Sequence, residues 1–153
     1  MPDDLSVALE RLRTSTQRLN TISDLGAHVV KEVEMFLEQS HVGAPAWVQI
    51  KQISDKYDQD DGCIVYLSYC RVSSGKFRIA IVTTHREAQS PDEDVVKPWS
   101  ECSRDEKIES LGKLPELLVE LAARVNEKTD KAEQAMTALS SLLLAVKTRK
   151  GGA

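Results

Sequence analysis

The sequence predicts an α+β fold: a three-stranded antiparallel β-meander flanked by long N-terminal and C-terminal amphipathic helices with coiled-coil-like heptads. Three observations predict it. Residues 3–40 and 115–148 repeat apolar side chains at alternating spacings of three and four, the period of a helix that lies along another helix. Between them stand three strand-like runs separated by short polar or glycine-containing turns, and short turns force antiparallel neighbours. The stretch His41-Val42-Gly43-Ala44-Pro45 is a helix stop that divides the first helix from the strands. All 153 residues are read as a single domain, 1–153.

The first helix, about residues 3–40, carries Leu5, Ala8, Leu12, Ser15, Leu19, Ile22, Gly26, Val29, Val33 and Phe36 along one stripe. Leu9, Leu25, Val30 and Leu37 widen that stripe towards a second neighbour. Asp3 and Asp4 suit the positive end of the helix dipole. Gly26 costs about 1 kcal/mol in a helix interior, so Ser23-Asp24 and Gly26 could end one helix and cap a second; one long helix with room for a bend near Gly26 is the preferred expectation.

The meander occupies about 47–86, with strands at 47–56, 63–72 and 76–85. Asp58-Gln59-Asp60-Asp61-Gly62 turns the first into the second, and Ser73-Ser74-Gly75 is a tight hairpin signal between the second and third. The run from Cys63 to Cys70 is apolar on both faces, as a central strand should be. One sheet face is expected to pack on the helices.

Residues 87–98, with Ser90-Pro91-Asp92-Glu93-Asp94, lose all periodicity and read as an acidic loop. Trp99 anchors the return. Ser103 and Glu106 stand at capping-box spacing and open a short helix, 103–111, that ends at Gly112. Pro115 then sits in the first turn of the last helix, 115–148, where its missing N–H costs nothing. That helix carries Leu118, Leu121, Val125, Lys128, Ala132, Ala135, Leu139, Leu142 and Val146 in register. At 1.5 Å per residue it would be about 50 Å long, well beyond the radius of about 15 Å of a compact chain this size. The two long helices are expected to lie alongside one another, within one chain or between two.

Composition bounds the function. A net charge of −4 argues against nucleic acid or an anionic membrane as the main partner. The N-terminus is acidic where a signal peptide is basic, and the most apolar run, Leu142 to Val146, is too short to span a bilayer. A cytoplasmic protein is expected. The three cysteines cannot all pair within one chain, and Cys63 and Cys70, seven positions apart on one strand, face opposite ways. They read as reduced thiols.

Candidate chemistry is sparse. The segment 58–62 fails as a calcium loop: counted from Asp58, the sixth residue is Cys63 where glycine is needed, and the twelfth is Tyr69 where glutamate is needed. His28, His41 and His85 show no paired spacing, so no metal site is expected, and no phosphate or dinucleotide fingerprint points to a cofactor. The one catalytic alternative pairs Cys70 with His85 across the sheet as a thiol–imidazole dyad, with Arg86 nearby, in a small-ligand pocket between sheet and helices.

The preferred expectation is a non-enzymatic protein–protein interaction module, adaptor or chaperone-like, homodimeric through its long helices. Leu118, Leu121, Val125, Leu139 and Leu142 would carry assembly, and Tyr66, Tyr69 and Phe77 would meet a partner on an open sheet face.

Overall fold

The computed structural model describes residues 2–54, 62–85 and 94–152. Helix α1 spans Pro2–Gln39. Strands β1 (Ala46–Ile53), β2 (Cys63–Arg71), β3 (Phe77–His85) and β4 (Val95–Pro98) follow, then a 3-10 turn at Trp99–Glu101, helix α2 (Arg104–Leu111) and helix α3 (Leu114–Gly151). The α+β architecture with a long helix at each end matches the expectation. The sheet differs: it has four strands in the order β1-β2-β3-β4, each pair antiparallel. The fourth comes from the end of the stretch read as an acidic loop. Val95 and Val96 pair with Thr83 and Val82, and Pro98 closes the strand on an edge, where its missing N–H leaves no ladder bond unmade. The polar turn 58–61, Arg86 and the acidic run 90–93 lie outside the described residues.

The local signals work as the residue types dictate. Gly75 takes φ +80° in the β2–β3 hairpin, and its N–H donates to Val72 O at 2.8 Å. Ser103 Oγ accepts from Glu106 N–H, and Glu106 Oε2 accepts from Ser103 N–H at 2.7 Å, the reciprocal capping box. That backbone hydrogen bond is the main reason the Glu106 carboxyl sits below its ordinary range. The end of α1 holds a surprise. The left-handed residue of its cap is His41 (φ 53°), not Gly43, and Val42 N–H reaches back to Leu37 O. As expected, α1 is one helix, from Pro2 to Gln39, and Gly26 within it is buried.

Strand alternation divides the sheet into two faces. Ala46, Val48, Val65, Leu67, Tyr69, Ile79 and Ile81 point inward and are buried. Helix α3 covers β1 and β2, while α1 rests on β3 and against α2. Val30 and Leu37 from α1 and Leu114, Leu117 and Leu121 from α3 complete this single core. Trp99 is buried at its edge, where its indole N–H donates to Ser110 Oγ at 2.9 Å.

The long helices do not lie against one another along their length. Both cross the same sheet face, and Lys128 Nζ donates to Gly43 O just beyond the end of α1. At the other end of the body Gly26 abuts Leu111, a few residues before α3 begins. These two contacts fix the helices in the same sense, side by side with a groove between them. Residues 2–25 of α1 therefore leave the body at one end, and residues 129–151 of α3 leave it at the other.

Candidate functional site

The thiol–imidazole reading fails on register. His85 pairs with Cys63 at one end of β2, and Cys70 pairs with Arg78 at the other, a strand separation of roughly 24 Å. Cys70 also stands on the sheet face that the helices leave open, so no pocket between sheet and helices includes it. Burial pushes its thiol above the ordinary range, against a smaller opposing hydrogen bond with Ser68, and a protonated thiol is a poor nucleophile. The three cysteines are unpaired, and among the described residues no cluster of three or more His, Cys, Asp or Glu side chains is placed to hold a metal ion.

What lies between the helices is an apolar groove of about 500 Å³. Val33, Phe36 and Leu37 line it from α1, Leu118, Leu121 and Val125 from α3, with Glu32 and Asn126 as its polar rim. Nothing there converges on a ligand's polar groups, the feature that marks a specific small-molecule site. Three residues expected to carry assembly thus belong to the body. Leu121 is only 3% exposed, and Leu118 and Val125 pack partly buried against the core.

Beyond the groove the same stripes continue, and none of the described residues covers them. On the α1 arm Leu5, Leu9, Leu12 and Leu19 are exposed, Leu12 by 65%. On the α3 arm Met136, Leu139, Leu142, Leu143 and Val146 are exposed, Leu142 by 61%. The cause is length: a sheet this size supports only the inner half of each helix, so periodicity persists where packing ends. The scale shows in the total surface. The 17.0 kDa chain exposes 11470 Å², against about 7,700 Å² for a compact protein of that mass. Among the described residues no helix is long and apolar enough to cross a membrane.

The outer sheet face is a second open surface. Trp47, Tyr66, Val82 and Val96 surround a shallow hollow of about 410 Å³ with Cys70 and Thr84 on its walls and Ser68, buried and donating its hydroxyl to Ala46 O, beneath it. Of the three sheet residues expected to meet a partner, only Tyr66 lies here. Tyr69 points the other way, is buried, and donates its hydroxyl to Val42 O at 3.2 Å. Phe77 stacks on Tyr69 with ring centroids 5.3 Å apart and is partly buried against the core. Trp47, not among the residues expected to meet a partner, is half exposed, with the Arg124 guanidinium 5.2 Å from its ring centroid. Its signal was position: an aromatic second in an edge strand whose neighbours Ala46 and Val48 must face inward.

A scan against protein-family models finds no match to this chain, and searches of curated proteins and of solved structures find none either.

Proposed function

We propose that this protein is a non-enzymatic interaction module, adaptor or chaperone-like, that works in the cytoplasm as a homodimer assembled through its long helices. One observation carries the reading: two apolar helical stripes, one on each arm, have no partner among the described residues. Exposed apolar surface on this scale marks a place where another protein binds, because water alone leaves it unstable against association. The free thiols suit a reducing compartment. The open sheet face, with Trp47 and Tyr66, is the surface left for a different protein once the helices are engaged. Aromatic side chains of this kind supply binding area at low entropic cost.

The test is capture of the tagged protein from its native lysate, with retained species identified by mass spectrometry. A protein held in stoichiometric amount, and released by Tyr66→Ala with Trp47→Ala, is the expected result. Recovery of the tagged chain with a tightly bound small molecule and no other protein would overturn the reading.

A further inference from the structure

We infer that the partner of each helical arm is the opposite arm of a second copy: the α1 arm of one chain lies antiparallel along the partner's α3 arm, and the reciprocal pair forms at the far end. This deepens the homodimeric reading above and rests on it. Four observations lead here. The first is direction. Inside the body α1 and α3 run in the same sense, so the arms point out of opposite ends. A second copy turned end over end then presents its α1 arm beside the first copy's α3 arm, and its α3 arm beside the first copy's α1 arm. One two-fold axis covers all four arms and leaves none over, the closed isologous arrangement that most homo-oligomers adopt.

The second is length. Each arm has about 24 residues, or about 36 Å of helix, so the paired stripes begin and end together. With the bodies level, the root of each α1 arm falls beside the root of the partner's α3 arm. Leu12 then comes within about a turn of the partner's Leu139. The stripe also runs on from arm into groove, through Val29, Val33 and Phe36 on α1 and Leu118 and Val125 on α3, so the two grooved faces meet in the middle.

The third is charge. Asp3 and Asp4 occupy the α1 tip, and Lys147, Arg149 and Lys150 occupy the α3 tip. Asp24 stands at the α1 root, while the α3 root is mixed: Glu127 and Asp130 stand beside Lys128 and Lys131, and Lys131 is paired with Glu127 at 2.9 Å. Antiparallel pairing of unlike arms sets the acidic α1 tip beside the basic α3 tip. Pairing α1 with α1, in either sense, sets aspartates beside aspartates, and parallel pairing of α3 with α3 sets basic tip beside basic tip. Antiparallel helices also align their dipoles favourably.

The fourth is area. Two arm pairs, each burying a strip about 36 Å by 10 Å on both helices, remove roughly 1,400 Å² from water before the bodies contribute, within the range of a stable specific interface.

The test uses full-length Leu12→Cys and Leu139→Cys chains, both substituted at exposed positions that the fold does not need. They are mixed, oxidised and mapped by peptide mass spectrometry, with sedimentation equilibrium of the unsubstituted protein alongside. A two-chain mass, and a disulfide between positions 12 and 139 formed only in the mixture, is the expected result. Disulfides between identical positions in either variant alone would overturn the reciprocal arrangement while leaving a homodimer. Larger open polymers would overturn closure, since head-to-tail stacking also pairs unlike arms. A single-chain mass at tens of micromolar would overturn the proposal together with the homodimer. In that case the interaction-module reading would still be judged by the lysate capture, which reads a different protein.

Discussion

Gly26 on α1 lies so close to Leu111 at the end of α2 that a β-carbon on the glycine would stand 2.5 Å from Leu111 Cδ1. Here the glycine serves contact rather than flexibility, since α1 continues through it as regular helix. Gly26→Ala gains up to about 1 kcal/mol of helix propensity but forces Leu111 to move, and overpacking of this kind costs about 1–3 kcal/mol. A net loss of about 1 kcal/mol is expected on urea unfolding, with a larger loss for Gly26→Val. A Gly26→Ala protein more stable than its parent would mean Leu111 has room to give way.

Leu121 and Leu142 occupy equivalent places in the α3 stripe but different worlds. Leu121→Ala removes a core side chain and should cost about 2–5 kcal/mol in folding free energy. Leu142→Asp should leave the urea midpoint of the dilute chain almost unchanged and weaken self-association at least tenfold by sedimentation. If Leu142→Asp instead collapses the fold, the arm has support within its own chain after all.

The buried Trp99 indole N–H has Ser110 Oγ as its acceptor, and Ser110 in turn donates to Lys107 O at 2.9 Å. Ser110 is fully buried, so Ser110→Ala leaves a donor without a partner. The expected cost is about 1–3 kcal/mol, with a shift in tryptophan fluorescence. An unchanged spectrum and midpoint would show that the hydrogen bond is dispensable.

Glu34 caps the sheet edge, where β4 is too short to reach: its Oε1 accepts from Ile79 N–H at 2.8 Å. Burial is the largest influence on this carboxyl and raises it above its ordinary value near 4.5; the Ile79 hydrogen bond and the Arg78 charge pull the other way, and Glu38 adds a small push upward. A raised carboxyl favours the fold when protonated. Its contribution is complete below about pH 4.5 and is lost as the pH climbs through the higher folded value. Glu34→Gln keeps the acceptor without the charge, so it should be at least as stable as the parent at pH 7 and lose that advantage as the pH falls towards 4.5. Equal pH dependence in the two proteins would rule this out. Glu34→Ala, which strands the Ile79 N–H, should cost about 1–3 kcal/mol at either pH.

The pattern of apolar spacing made the two helices legible, because a period of 3.5 sustained over many turns has few other structural meanings. It could not say where packing stops. Leu121 and Leu142 are the same residue at the same phase, and only the extent of the sheet decides which is core. The cap at Ser103 and the hairpin at Gly75 were legible because each is a local device, complete within four residues. Strand β4 was not. Its whole signal is Val95-Val96, two β-branched residues beside an acidic run, and its partner Val82 lies on another strand. The Cys70–His85 pairing failed for a like reason: strand membership could be read, but the antiparallel register sends their positions to opposite ends.

The opposite departure of the two arms also governs how the molecule moves through water. From the tip of one arm, through the body, to the tip of the other, a single chain extends roughly 95 Å, where a compact chain of this length would span about 40 Å. Friction follows the long dimension. A lone chain should therefore diffuse slowly, tumble anisotropically and elute from a sizing column well ahead of spherical standards of 17.0 kDa. Pairing that lays two such rods side by side doubles the mass while scarcely lengthening the particle. Assembly should therefore raise the sedimentation coefficient steeply while leaving the elution position comparatively little changed.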